Sequence, residues 1–236
     1  FDYAIRQDSI QKGQGLPIFE FVRQCSDRKA YGAAVRGAEF ALARYQSGPF
    51  MAELSFRHAE SLAKLGRHEE ALAAYQKIAA KLPTPADRSD AYCGMGELYL
   101  NQINDPLKAA IYFDTVITQA PRGISYLKAV RLTPLCYMRL GEFATAAARL
   151  NAIVAQQFSE DIMEEAKYRL CLLKLFAHQF DSTKASLKKL MVDFPRGLYV
   201  NDAMRMALDL DQVLPDTVLL VMYGRAVEFE TRRLPD

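Results

Sequence analysis

Apolar and small residues recur along this chain with a fixed helical spacing. Each copy of the pattern has an apolar or aromatic residue, a small residue three positions later, and apolar residues four and seven positions beyond that. The copies are Tyr31-Ala34-Ala38-Ala41, His68-Ala71-Tyr75-Ile78, Pro106-Ala109-Phe113-Val116, Phe143-Ala146-Leu150-Ile153 and Phe180-Thr183-Leu187-Leu190. Their second members lie 37, 38, 37 and 37 residues apart. Because steps of three and four residues return to the same side of an α-helix, each copy predicts a helix with one buried face.

Residues that end helices occur in the same register. Leu82-Pro83, Ala120-Pro121 and Phe194-Pro195 each place a proline twelve residues after the small position, where proline stops a helix. Gly66 and Gly141 precede the small position by five residues, as expected of tight turns. A further helix is predicted before each turn. These first helices are expected in residues 51–65, 89–101, 125–140 and 161–177.

Helix, turn, helix and loop thus make one unit, and the chain holds about five units of 37 to 38 residues. The small residue is expected where two antiparallel helices cross, since axes about 8 to 10 Å apart leave little room for a side chain. One unit cannot fold alone, so neighbours must stack. We predict an all-α, right-handed superhelical solenoid over residues 1–236. Its second helices are expected near residues 30–46, 67–82, 105–120, 142–157 and 179–194.

The register also extends beyond the five copies. Phe1 and Ala4 fall on the last apolar positions of an earlier second helix, so we expect the chain to be an excerpt of a longer array. In the other direction, Leu220, Gly224 and Val227 form a degraded copy that follows a helix in residues 198–210. The sequence does not fix the compartment, and periplasm, cell envelope and cytoplasm all remain open.

The composition is compatible with a helical protein and limits the classes of partner that we expect. Thirty basic residues against 28 acidic ones leave a formal charge of +2, too small to build a track for nucleic acid. Lys184, Lys188 and Lys189 on one second helix are interpreted as a solvated face. No apolar run approaches the roughly 20 residues that cross a bilayer. We expect no nucleic-acid partner and no transmembrane segment.

Residues that could carry chemistry are scattered. Cys25, Cys93, Cys136 and Cys171 lack a CxxC pair and are predicted to be free, buried thiols, which favours a reducing compartment. His58, His68 and His178 lack metal-ligand spacing. The glycine pairs Gly13-Gln-Gly15 and Gly94-Met-Gly96 lack the third glycine of a dinucleotide loop. Glu69-Glu70 and Glu164-Glu165 are interpreted as first-turn carboxylates that favour helix starts. We predict no catalytic site, metal or cofactor.

These features together resemble the tetratricopeptide repeat family. The segment from Phe50 to Pro83 is similar to its repeat through Ala59, Leu62, Gly66, Ala71 and Tyr75, and the next copy through Gly96, Tyr99, Ala109, Phe113 and Pro121. The resemblance covers roughly residues 15 to 210. The chain departs from the family in three ways. Its period is longer, Pro134 stands where the first helix usually has a glycine, and Thr183 replaces the alanine of the small position. Longer units of this kind, with segments such as 193–203, resemble bacterial cell-envelope repeat proteins.

The resemblance implies a groove lined by the first helices. Its groove-facing positions fall on Phe56, Glu60, Lys64, Glu97, Asn101, Lys128, Arg131, Met138, Arg139, Tyr168, Leu172 and Leu175. The groove would be acidic at first, basic in the middle and apolar at its end, which suits a peptide or a helix. Phe56 and Glu60 replace the lysine and asparagine of chaperone-tail-binding members, so that ligand is not expected. Charge reversal at Arg131 and Arg139 is expected to weaken binding and leave the melting transition nearly unchanged.

The leading functional prediction is a non-enzymatic scaffold that binds a peptide or protein in this groove. One alternative is a self-assembly module that forms homo-oligomers by end-to-end stacking, because neither end has an obvious polar cap. The other is a non-catalytic repeat segment of a larger enzyme or envelope-assembly protein. Both alternatives stay open at the level of sequence.

Overall fold

The structure is a computed structural model that describes residues 1–10, 15–45, 50–213 and 216–233. Those ranges form thirteen α-helices and no β-strand, which confirms the predicted all-α repeat fold. The helices are α1 (Asp2–Ile10), α2 (Leu16–Asp27), α3 (Tyr31–Arg44), α4 (Met51–Lys64), α5 (His68–Lys81), α6 (Pro85–Leu98), α7 (Pro106–Gln119), α8 (Ile124–Leu140), α9 (Phe143–Ala155), α10 (Glu160–Phe176), α11 (Phe180–Asp193), α12 (Val200–Val213) and α13 (Thr217–Arg232). None of these described helices is long and apolar enough to cross a bilayer.

Second helices begin where the sequence pattern begins. The starts of α3, α5, α7, α9 and α11 are Tyr31, His68, Pro106, Phe143 and Phe180. α5, α7 and α11 end two residues before Pro83, Pro121 and Pro195. The residue before a proline is pushed out of the helical region, so these ends follow from the prolines.

The turn inside each helix pair contains one residue with a positive φ. These residues are Lys29, Gly66, Asn104, Gly141 and His178, with φ between 56° and 78°. They repeat with the same spacing as the small positions. The predicted glycine turns at 66 and 141 are confirmed. The other three turn residues adopt a left-handed conformation that costs roughly 1 kcal/mol each for a non-glycine residue. Helix packing on both sides of the turn therefore dictates its shape.

One residue is inserted in the third pair. A π-helical turn, Tyr99–Ile103, continues α6, and the N–H of Asp105 donates to the Tyr99 carbonyl at 2.9 Å. A π-turn accommodates one extra residue while the helix continues. It lies between Ala71 and Ala109, the only small positions that are 38 residues apart among the five copies. The insertion thus accounts for the irregular spacing.

The chain divides into two compact units, unit 1 (Phe1–Ala129) and unit 2 (Val130–Asp236). One core cluster of unit 1 joins Ile18, Val22 and Leu54 with small residues of α3. In unit 2 the largest fully buried side chains include Leu150 and Leu187. Each unit therefore has an apolar core of its own. The expectation of one array over residues 1–236, excerpted from a longer one, stays a prediction.

The small position of each copy is buried. Ala34, Ala71, Ala109, Ala146 and Thr183 all have 0% exposure. Thr183 is tolerated there because its Oγ1 donates to the carbonyl of Gln179, one turn earlier, at 2.9 Å. Its hydroxyl is thus hydrogen-bonded within its own helix, and the close contact between helices is preserved.

We predict that Ala146→Leu lowers the free energy of unfolding by about 1 to 3 kcal/mol, because a larger side chain must push the packed helices apart. Ala148→Leu is the matched control, since Ala148 is exposed on the same helix, α9. It should change stability by less than about 0.5 kcal/mol. Urea unfolding measures both. Equal effects of the two substitutions would contradict the assignment of Ala146 to the helix crossing.

Candidate partner-binding groove

Four of the predicted groove residues line one cavity in unit 1. Glu60 and Lys64 lie on α4, Glu97 on α6 and Asn101 on the π-turn, and the cavity has a volume of about 480 Å³. Tyr31 of α3 also lines this cavity. Glu60 and Lys64 face the same way because they are four residues apart on one helix. The π-turn thus contributes Asn101 to the cavity wall.

The cavity presents charges of both signs. Arg57 at its rim pairs with Glu53 at 2.9 Å and with Asp27 at 3.3 Å, so its charge is neutralised. The Glu60 side chain is exposed to the cavity, but the surrounding protein partly desolvates its carboxyl and raises the pKa, while Lys128 and Arg57 oppose the shift. Within the described part of the chain, the Glu60 carboxylate forms neither a hydrogen bond nor an ion pair. It is therefore available to a basic or N–H group of a ligand.

The other two unit 1 positions contribute less to the cavity. Lys128 Nζ pairs with Glu97 Oε1 at 3.3 Å, so the carboxylate of Glu97 is also partly neutralised. Phe56 is partly buried against a core cluster that contains Tyr75 and Met95. It supports the α4–α5 packing rather than an open surface.

In unit 2, two adjacent carboxylates of α10 are buried and hold neighbouring segments. Glu164 accepts hydrogen bonds from the backbone N–H groups of Leu198 and Tyr199 at 2.9 and 2.7 Å. Glu165 accepts from Arg131 Nε at 2.6 Å and from Arg169 Nη2 at 2.5 Å. The interpretation of this pair as first-turn residues is wrong, because α10 begins at residue 160 and its first turn carries Glu160 and Asp161.

Four predicted groove positions of unit 2 are covered. Met138 and Leu175 have 0% exposure, and Leu172 and Arg139 have 8%. α13 packs on α10, where the sequence pattern predicts the second helix of a degraded copy beside α12. These four positions are covered in this structure, and their assignment to a groove stays a prediction.

Tyr168 and Arg131 also make structural contacts. The Tyr168 ring stacks on Tyr199 with centroids 4.8 Å apart, and burial raises its pKa to about 12. Arg131 is held by Glu165, and burial lowers the pKa of Arg139 to about 10. The expectation that charge reversal at Arg131 and Arg139 leaves melting unchanged is corrected, since one residue forms an ion pair and the other is buried.

The described residues contain no cluster of metal-ligating side chains. Among the described residues no cysteine forms a disulfide; Cys93, Cys136 and Cys171 are buried, and Cys25 is partly buried. Burial raises the pKa of the Cys93 thiol to about 12 and that of Cys171 to about 11. Such thiols stay protonated near neutral pH and are poor nucleophiles.

The glycines of α6 are explained by helix contact. A Cβ on Gly94 would lie 2.6 Å from the Tyr75 ring, and one on Gly96 would lie 2.6 Å from the Phe113 ring. Both aromatic residues come from second helices. Gly94 and Gly96 thus make room for side chains, while Gly13 of the other pair lies outside the described residues. Of the three lysines of α11, Lys184 pairs with Asp211, and Lys188 and Lys189 are exposed.

One helix pair of the chain matches a known protein-family model. Residues 53–84 match the model of the tetratricopeptide repeat. That segment runs from α4 through α5 and contains Glu60 and Lys64 of the cavity. No curated protein matches the chain significantly.

Solved structures share the fold at low sequence identity. A tetratricopeptide repeat protein from Parabacteroides merdae ATCC 43184 is 16% identical, with a TM-score of 0.67 over 91% of this chain and 78% of its own. PilW, a type IV pilus biogenesis factor, is 17% identical, with a TM-score of 0.62 over 93% and 94%. YrrB, described as having an unusual peptide-binding site, is 14% identical, with a TM-score of 0.59 over 89% and 97%. These likenesses give the chain the fold of tetratricopeptide repeat proteins.

We predict that Glu165→Gln lowers the free energy of unfolding by about 2 to 4 kcal/mol, because it leaves Arg169 buried without its counter-charge. Glu160→Gln is the matched control on the same helix, where the carboxylate is exposed and its loss should cost at most about 1 kcal/mol. Chemical denaturation at neutral pH compares them. A Glu165→Gln protein as stable as the control would show that the buried ion pairs contribute little.

Proposed function

We propose that this chain, with its tetratricopeptide repeat fold, is a non-enzymatic scaffold that binds a peptide or protein segment in the cavity of unit 1. The observation that carries the proposal is the convergence of Glu60, Lys64, Glu97 and Asn101 on that cavity. Folds of this type generally serve as protein-interaction scaffolds, and YrrB, which shares the fold, is described as binding peptide.

The chemistry of the cavity favours an extended segment of mixed charge. The unpaired carboxylate of Glu60 would accept a hydrogen bond from a lysine, an arginine or a backbone N–H of the ligand. Lys64, one turn further along α4, would meet a carboxylate or carbonyl oxygen. Because Arg57 and Lys128 already have acidic partners, they add little net attraction for a polyanion. The site therefore suits a polypeptide better than nucleic acid.

The π-turn supports this assignment. An inserted residue disturbs the regular packing of a helix, and π-turns occur frequently at functional sites. Here the turn places Asn101 and Gln102 in the wall of the cavity. We infer that the insertion shapes the site at the cost of local regularity.

A second candidate function is self-association through α12. Met204 and Leu208 lie four residues apart on that helix and are 49% and 53% exposed. If these side chains bind a second copy, light scattering across a concentration series will show a rising molar mass. Leu208→Lys should then abolish the rise, whereas a constant monomer mass for the unmodified chain would exclude this candidate. The alternative that the chain is a repeat segment of an envelope-assembly protein rests only on the fold shared with PilW.

The groove proposal is tested with peptides selected on the immobilised chain from a random twelve-residue library. We expect Glu60→Lys to weaken the selected peptides at least tenfold, because it removes the unpaired carboxylate and adds a repelling charge. Glu69→Lys reverses an exposed charge on α5 and should leave affinity unchanged. Isothermal calorimetry gives both affinities.

Unfolding must be followed for the same two variants. Both positions are exposed, so stability should change by less than about 1 kcal/mol in each case. If Glu60→Lys and Glu69→Lys bind the peptides equally well, the cavity is not the binding site. A failure to select any peptide would count against the scaffold function itself.

A further inference from the structure

The last helix does not take the place that the repeat gives it. Each of α3, α5 and α7 packs extensively against the first helix of its own pair, whereas α13 makes more contact with α10 than with α12. The sequence gives a physical reason. Leu220 stands at the small position where the other copies have alanine or threonine, so a close crossing with α12 is sterically blocked.

Glycine provides a close crossing with a different helix. Gly224 of α13 is buried, and a Cβ added there would lie 3.3 Å from the carbonyl oxygen of Leu175 and 3.7 Å from Nδ1 of His178. In the other copies this position is occupied by Ala38, Tyr75, Phe113, Leu150 and Leu187. The glycine thus lets the α13 backbone approach the end of α10 closely.

Arg232 fixes the far end of α13. Its Nε donates to the carbonyl of Arg139 at 3.4 Å, and its guanidinium carbon lies 6.0 Å from the centre of the Phe143 ring. Glu228 holds the same guanidinium at 3.0 Å from within α13. Arg139 is in the last turn of α8, where the helix dipole favours a cation.

Two further contacts show that α13 is a well-formed helix when it is docked. Asp216 caps its start by accepting from the N–H groups of Val218 and Leu219 at 2.9 and 3.1 Å. Tyr223 donates its hydroxyl to Asp209 of α12 at 3.1 Å. The helix thus contacts α12, then α10, then the end of α8. Eight residues of helix, about 12 Å, separate Gly224 from Arg232, enough to reach across one interaxial spacing of roughly 8 to 10 Å.

α13 lies on positions that the resemblance to the tetratricopeptide repeat family assigns to a groove. Leu175 and Arg139 both belong to the predicted groove set, and the backbone carbonyls of both residues contact α13 directly. We propose that the first-helix face of unit 2 is a helix-binding groove and that α13 is its ligand in cis. The competing partner is then a helix with a small residue at the crossing and an arginine about two turns later. This inference does not depend on the unit 1 cavity.

Competition follows from the short connection. Only two residues separate Val213 from Asp216, so the local concentration of α13 at the groove is of millimolar order. An external helix can bind only when α13 leaves. The groove is therefore closed to partners until α13 is displaced, and α13 sets the threshold for binding at unit 2.

The test adds a fluorescein-labelled peptide of residues 216–233 to the full chain and measures anisotropy. Gly224→Glu in the chain should displace α13, because a carboxylate would meet the Leu175 carbonyl. We expect this variant to bind the peptide at least tenfold more tightly than the unmodified chain does. Ala226→Glu, on the exposed side of α13, is the matched control and should behave like the unmodified chain.

A peptide that itself carries Gly224→Glu should bind none of the chains, which excludes attachment through the exposed face of α13. Equal binding by the unmodified and Gly224→Glu chains would overturn the proposal. So would an absence of binding by a Gly224→Glu chain whose circular dichroism remains helical.

If Gly224→Glu does not fold, Arg232→Glu serves as the second variant, with Arg225→Glu as its exposed control. Arg232→Glu removes the contacts at the far end of α13 and should raise peptide binding at least threefold over Arg225→Glu. Equal peptide binding by these two variants would also overturn the proposal.

Discussion

The close crossing of two helices is the constraint on which the rest of this structure depends. Ala34, Ala71, Ala109 and Ala146 are fully buried at the crossing positions, and Thr183 fits there only because its hydroxyl bonds to its own helix. Once the crossing is fixed, the turns must bend the same way each time. The recurrence of one left-handed residue per pair, even where that residue is lysine or histidine, follows from this requirement.

The same constraint explains where the regularity fails. An extra residue in the third pair cannot move the crossing, so it is absorbed as a π-turn, which then forms part of the cavity wall. Leucine at position 220 cannot enter a crossing, and Gly224 creates one against another helix. Both proposed binding surfaces therefore lie at departures from the repeat.

The repeated features of the fold could be predicted from the sequence, whereas several of its irregular features could not. The small positions, the terminating prolines and the glycine turns at 66 and 141 follow from residue types with strong local preferences. Lys29 carries no such preference, and the left-handed tendency of Asn104 and His178 is much weaker than that of glycine, so tertiary packing decides these three conformations. The burial of Glu164 and Glu165 was missed because their partners Leu198, Tyr199 and Arg131 are distant in sequence, and helix periodicity carries no signal for such contacts. Leu220 and Gly224 are the sequence signal for the position of α13. Leu220 is a large residue at the small position, and Gly224 is a small residue where most copies have a large one.

The proposed binding of a polypeptide between α4 and the π-turn of unit 1 can be observed in a crystal structure of the chain with a library-selected peptide. We expect peptide density in the cavity of about 480 Å³, with a polar atom of the peptide within hydrogen-bonding distance of Glu60. Density on the outer faces of α5 or α7, with the cavity empty, would contradict it.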